Sequence, residues 1–142
     1  MELKVYTDGG ALINPGPAAS AFVVYKNNKI LHQASFGIGN NTNNFAEYTA
    51  VVRAFEWLIK NKSSGFTKIN FFSDSSLMVN QLNGLFKIKN AAIREFVLKI
   101  RSLEQELNIP ATYKYIPREE NTLADSLVKK VLYSSGFPPS RE

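Results

Sequence analysis

Four carboxylates stand where the chain passes from one predicted element to another: Asp8, Glu47, Asp74 and Asp125. Asp8 and Asp74 each close a run that reads as a β-strand, and acids at strand ends of one sheet can be neighbours. The central strand of such a sheet is apolar on both faces. An acid at its end is therefore partly buried, where an unpaired charge is costly and a cation relieves the cost. Glu47 lies in the first turn of a predicted helix beside Tyr48 and Val51, and Asp125 flanks Ala124 and Val128 in another, so both acids can face inward. Oxygen donors without histidine or cysteine select Mg²⁺ or Mn²⁺, and two such ions about 3.5–4 Å apart are a recurrent device for phosphodiester hydrolysis. Each acid alone also has a plainer reading: Asp8 as a turn former before Gly9-Gly10, Glu47 as a charge at a helix N-terminus, Asp74 as a helix cap, Asp125 as a solvated helix residue. The metal reading rests on the combination.

The elements that must position these acids follow from hydrophobic period and punctuation. Residues 2–8 alternate as a strand, and the Gly- and Pro-rich GGALINPGP that follows reads as loop. Residues 19–26 and 30–38 read as two strands joined at Asn27-Asn28, a pair tolerant of left-handed turn geometry. From Asn44 to about Lys60, Tyr48, Val51, Phe55 and Leu58 recur at helical spacing, with Asn43 or Asn44 as the expected cap. A strand over 67–73 ends at Asp74, and a short helix, SLMVNQL, stops near Gly84. A helix over 91–108 is blocked by Pro110, a fifth strand covers 111–116, and the loop PREE leads into a last helix over 121–133. Residues 1–142 are thus expected to form one domain, an α/β fold with a single mixed sheet and a tail that frays from Ser134.

Composition narrows the function classes. With 44% apolar residues, no run long enough to span a membrane and a charged start, MELK, the chain is expected to be soluble, intracellular and cytoplasmic. The absence of cysteine excludes disulfides, thiolate metal sites and a cysteine nucleophile. The net charge is +5, and between Phe86 and Arg118 seven basic residues, Lys87 and Lys89 among them, face three acids, a local +4. Such a face suits a polyanion, although a solvated helix surface would also produce it. The single histidine, His32, falls within a predicted strand and reads as structural, and Trp57 reads as core.

YTDGG at 6–10, NPGP at 14–17, TNNFAEY at 42–48, SDSSLMVNQLNG at 73–84 and IPREENTLADSL at 116–127 resemble, in order, the motifs of the type 1 ribonucleases H. The resemblance spans nearly the whole chain. It is closest to short archaeal and bacterial members without a hybrid-binding domain or a long basic protrusion. It implies the ribonuclease H-like fold, a five-stranded mixed sheet of three antiparallel and then two parallel strands with helices on both faces. It also implies endonucleolytic cleavage of the RNA strand of an RNA–DNA hybrid, giving 5′-phosphate and 3′-hydroxyl ends. Asp8 would bridge two Mg²⁺ ions, with Mn²⁺ as substitute; Glu47 and Asp74 would complete one ion's shell, and Asp125 would hold the ion carrying the nucleophilic water. Asn14, Asn43 and Asn44 resemble the minor-groove asparagines, Thr42 a DNA-phosphate ligand, and Lys87 and Lys89 a reduced basic protrusion. Asparagine amides can read 2′-hydroxyls across a shallow minor groove.

Three positions depart from that pattern. Ser76 stands where a glutamine is usual, Asn40 where a cation neighbours the phosphate-binding threonine, and the loop before Asp125 lacks a histidine, leaving Arg118, Glu119 or Glu120 to assist there. A DNA-directed exonuclease of related fold would carry a second acid at position 10, which is Gly10. An inactive nucleic-acid-binding module and activity on double-stranded RNA are the remaining alternatives. A monomer without an obligate protein partner is expected from size.

Overall fold

In the computed structural model residues 1–134 are described, so the expected frayed tail beyond Ser134 lies outside the described residues. β1 (Glu2–Ala11), β2 (Gly16–Lys26) and β3 (Lys29–Asn41) are followed by α1 (Asn43–Lys60), β4 (Lys68–Ser73), α2 (Ser76–Leu82), α3 (Ala91–Leu107), β5 (Ala111–Tyr115) and α4 (Thr122–Leu132). The sheet order is β3-β2-β1-β4-β5. β1, β2 and β3 pair antiparallel, while β1, β4 and β5 pair parallel, as the expected mixed sheet requires. The β2–β3 hairpin turns on Asn27 and Asn28, both left-handed at φ 51 and 66.

Alternation along the central strands supplies two cores. Leu3, Val5, Phe22 and Val24 point to one face, where they meet Tyr48, Phe55 and Leu58 of α1 and Ile100 and Leu107 of α3. Ala19 and Ala21 point to the other and pack against Val128 and Leu132 of α4. Small residues there let α4 lie close to the sheet. Helices therefore cover both faces, and β2, sandwiched between them, is buried from Ala18 to Val24. His32 stacks on Trp57 at 4.7 Å between ring centroids, part of the aromatic packing beneath α1. No helix among the described residues is long and apolar enough to cross a membrane.

The strands run further than their sequence pattern indicates. Gly9, Gly10 and Ala11 are strand, not loop, because they pair with Ser20, Ala19 and Ala18; β2 begins at Gly16 and β3 extends to Asn41. A neighbouring strand satisfies the backbone whatever the low intrinsic preference of glycine, so tertiary pairing overrides local propensity. Asp8 consequently sits inside β1, not at its end. What ends there is β4: its ladder with β1 closes at Thr7↔Ser73, while β1 continues with β2 alone. Asp8 occupies the fork.

The caps also differ from expectation. α1 is capped by Thr42, whose Oγ1 accepts from the Phe45 N–H at 3.1 Å, and Asn43 and Asn44 lie in its first turn. Ser75 caps α2 by accepting from the Met78 N–H at 3.3 Å. Asp74 is thereby released from capping.

Candidate active site

The closeness of β1 and α1 starts with a missing side chain. A Cβ on Gly9 would lie 2.3 Å from the carbonyl carbon of Ala46 and 2.5 Å from the backbone nitrogen of Glu47, so only glycine lets the helix approach the strand at this level. The buried Ser20 hydroxyl fastens the same turn from β2, donating to the Ala46 carbonyl at 2.7 Å. Glu47 is thus held beside Asp8, and Asp74, one residue past β4, enters from the other side of the fork.

One carboxylate oxygen from each of Asp8, Glu47 and Asp74 lies within 4.8 Å of the others. Asp125 stands outside that triplet. Its Oδ2 is 3.1 Å from Lys129 Nζ, one turn along α4, yet it lines the same cleft and its charge reaches Asp8. The plainer readings fail for Asp8 and Glu47, which are only 6% and 9% exposed, within a strand and within a helix. For Asp125 the helix ion pair coexists with the cleft.

Burial and mutual repulsion dominate the electrostatics. Asp8 is raised from 3.8 to about 8, first by burial and then by Asp74 and Asp125, with the Gly9 N–H opposing. Glu47 is raised well above the usual carboxylate range by burial, Asp8 and Asp74, against the pull of Arg118. Asp74 is raised mainly by burial, and Arg118, whose Nε lies 4.0 Å from Asp74 Oδ2, lowers it. Protein groups alone leave this cluster under-compensated. Glu47 Oε1 is buried with no hydrogen-bond partner, and an unpartnered buried oxygen among three crowded carboxylates is the environment a hard divalent cation fits.

The residues expected to touch substrate converge beside this cluster. Asn14, Thr42, Asn43, Asn44, Lys87 and Lys89 all line one groove, which also takes in Asn40, Gln81 and Asn90. Asn14 Oδ1 accepts from the Asn43 N–H at 2.9 Å, and Asn43 Oδ1 accepts from the Ala11 N–H at 2.8 Å. Both carbonyl oxygens are used by the fold, which leaves the amide NH₂ groups as the donors toward the groove.

Of the loop residues preceding α4, Arg118 reaches the carboxylates, whereas Glu120 turns toward Tyr6 and lines a different pocket. Glu119 is exposed. Sequence reasoning missed two participants. Lys129 is signalled only by its i,i+4 spacing from Asp125. Asn121, 1% exposed, donates to the Thr7 carbonyl at 2.9 Å and sits close enough to Asp74 to lower its pKa, tying the start of α4 to the fork. No local pattern distinguishes it from a loop asparagine.

The chain matches the reverse transcriptase-like family over residues 6–131. It is 30% identical over 134 residues to a bifunctional protein of Mycobacterium tuberculosis, covering 93% of this chain and 36% of that protein. It is 32% identical over 131 residues to the ribonuclease HI of Halobacterium salinarum, covering 92% of this chain and 64% of that one. The chain therefore spans about a third to two-thirds of these relatives. Among solved structures, LC11-RNase H1 in complex with an RNA/DNA hybrid superposes with a TM-score of 0.86 at 35% identity, covering 92% of this chain and 96% of that one. RNase H1 from Halobacterium salinarum superposes at 0.85 with 31% identity, covering 93% and 98%.

Proposed function

This chain belongs to the ribonuclease H1 family, and from that premise we propose that it is an endonuclease hydrolysing the RNA strand of RNA–DNA hybrids. Its products carry 5′-phosphate and 3′-hydroxyl ends. The observation that carries this reading is the carboxylate triplet within 4.8 Å, with its unpartnered Glu47 oxygen, beside a groove of amides and lysines.

Asp8, Glu47, Asp74 and Asp125 would hold two Mg²⁺ ions, with Mn²⁺ as a substitute. Such ions, when bound, activate water and neutralise charge developing on the scissile phosphate. The NH₂ donors of Asn14, Asn43 and Asn44 face acceptors in the minor groove, where 2′-hydroxyls and base edges distinguish RNA from DNA. The Thr42 hydroxyl already accepts a hydrogen bond from the Phe45 N–H, so its own proton is available to a DNA-strand phosphate. Lys87 and Lys89 supply charge to the same strand. Arg118, beside Asp74, serves in place of the loop histidine of other family members. The working unit is residues 1–142 as one monomeric, cytoplasmic domain without an obligate protein partner.

The test is a substrate panel of RNA–DNA hybrid, RNA duplex and DNA duplex, each end-labelled, incubated with Mg²⁺ or Mn²⁺. Cleavage confined to the RNA strand of the hybrid, leaving 5′-phosphates, is the expected outcome. Cleavage of RNA duplex at a similar rate would widen the substrate class, and binding of the hybrid without cleavage by either ion would reduce the protein to a binding module.

A further inference from the structure

α4 covers only part of its face of the sheet. It packs over Ala19 and Ala21, and the portion below Asp8 carries three partly exposed aromatic rings. Tyr6 of β1 is the register partner of Phe72 of β4, and their rings stack at 5.0 Å and 23°; Tyr25 of β2 meets Tyr6 edge-on at 5.3 Å. Register puts two exposed lysines on this face: Lys4 opposite Tyr25, and Lys114 opposite Phe72. Side chains two apart on a strand share a face. Tyr6 therefore lies one step below Asp8, and Phe72 lies two residues before Asp74, near the end of β4.

The aromatic patch continues the carboxylate cluster on the side away from the amide groove. Asn43 joins the groove to Ala11, three residues beyond Asp8, and Asn121 joins the start of α4 to Thr7, one residue before it. A pocket between Lys4, Tyr6, Tyr25 and the first turn of α4 opens at this lower end. The three rings stay partly exposed, with Lys4 and Lys114 beside them, while Glu120 lines the same pocket and Glu2, bonded to Asn70, lies at the far end of the face. Aromatic faces with cations beside them are the usual surface for successive bases of a single strand.

We infer that this Tyr6–Tyr25–Phe72 face binds single-stranded RNA continuous with the strand in the groove, so that an RNA overhang stacks there while its paired part lies over the carboxylates. The inference rests on the proposed activity for the position of the paired part. The stacking itself does not depend on cleavage. Lys4 and Lys114 contribute phosphate contacts, and the rings accept bases of any identity.

The experiment uses the full chain carrying Asp8→Asn to prevent cleavage, and measures anisotropy of three labelled probes: a blunt RNA–DNA hybrid, the same hybrid with an RNA overhang of about six nucleotides at the 5′ or the 3′ end, and the single-stranded overhang alone. One overhang polarity is expected to bind at least about fivefold tighter than the blunt hybrid, the low end for one base stacked on an aromatic ring. Tyr25→Ala and, independently, the surface change Lys4→Glu should abolish that gain and weaken the single-strand probe while leaving blunt-hybrid affinity unchanged. Lys4→Glu touches no core residue, so a folding defect in Tyr25→Ala does not remove the test. Equal affinity for blunt and overhung hybrids, or equal weakening of both by Lys4→Glu, overturns the inference. Failure of the blunt hybrid to bind at all contradicts the proposed function instead, and the single-strand probe then still reads the aromatic face.

Discussion

Replacing Asp8 by asparagine should stabilise the protein when divalent ions are absent, an unusual outcome for a buried polar residue. In the folded chain Asp8 is raised from 3.8 to about 8 by burial and by two neighbouring acids. The folded state therefore retains a proton that the unfolded chain releases, and stability falls as pH rises through the window from about 4 to about 8. At pH 7, keeping an ordinary carboxyl protonated costs at most about 4 kcal/mol, from about 1.4 kcal/mol per pH unit over about three units. Asparagine removes the charge with little change in volume and can still accept from the Gly9 N–H. Allowing half that ceiling for imperfect hydrogen bonding, Asp8→Asn should gain about 2 kcal/mol at neutral pH, or a Tm increase of about 5–8 °C for a domain of this size. The assay is thermal unfolding followed by circular dichroism, from about pH 4 to pH 8 in EDTA and again in Mg²⁺. The parent should lose Tm with rising pH in EDTA and recover it with Mg²⁺, whereas the variant should show a flatter profile and little response to the ion. A variant less stable than the parent at pH 8 in EDTA would refute the account of a mutually repelling, under-compensated cluster.

Other outcomes follow from single contacts. Gly9→Ala drives a methyl into the α1 backbone and should cost about 1–3 kcal/mol, together with most of the activity, measured by denaturant unfolding and hybrid cleavage. Thr42→Ala removes the α1 cap and should lower stability by about 1 kcal/mol, and hybrid affinity should fall as well if its hydroxyl meets a phosphate. Exchanging both Lys87 and Lys89 for glutamate should weaken hybrid binding and flatten the dependence of log Kd on log salt, leaving Tm nearly unchanged; an unaltered slope removes them from the interface. Asn121→Ala should cost about 1–3 kcal/mol by stranding the Thr7 carbonyl, and the pH profile of cleavage should move to higher pH because Asp74 loses a neighbour that lowers its pKa.

Much of the architecture was legible because periodicity and punctuation act locally. Tyr48, Val51, Phe55 and Leu58 marked α1 by spacing alone, and Asn27-Asn28 marked the hairpin. The strand extensions were not legible, since the ladder of Gly9, Gly10 and Ala11 depends on a partner some ten residues away. The same limit applies within the site. The acids could be listed from their flanking residues, but the space that brings Glu47 to Asp8 is set by the missing Cβ of Gly9, which in sequence looked like a loop glycine. Caps show the converse: Ser75 takes the role that Asp74 could have filled, and only the fold reveals which of two adjacent candidates does so. Lys129 and Asn121 belong to the site through helix phase and a bond across 114 positions; the first is signalled only by its i,i+4 spacing from Asp125, and the second leaves no local signature.

The central claim, that the cluster around Asp8 cuts RNA paired to DNA, is tested most directly by single-turnover cleavage of a hybrid labelled on its RNA strand, with parent and Asp8→Asn proteins compared in Mg²⁺, Mn²⁺ and EDTA. Shortened RNA is expected only from the parent and only with a divalent ion, the DNA strand remaining intact. RNA cleavage that persists in EDTA or in the Asp8→Asn protein, or an uncut hybrid in the presence of both ions, would contradict it.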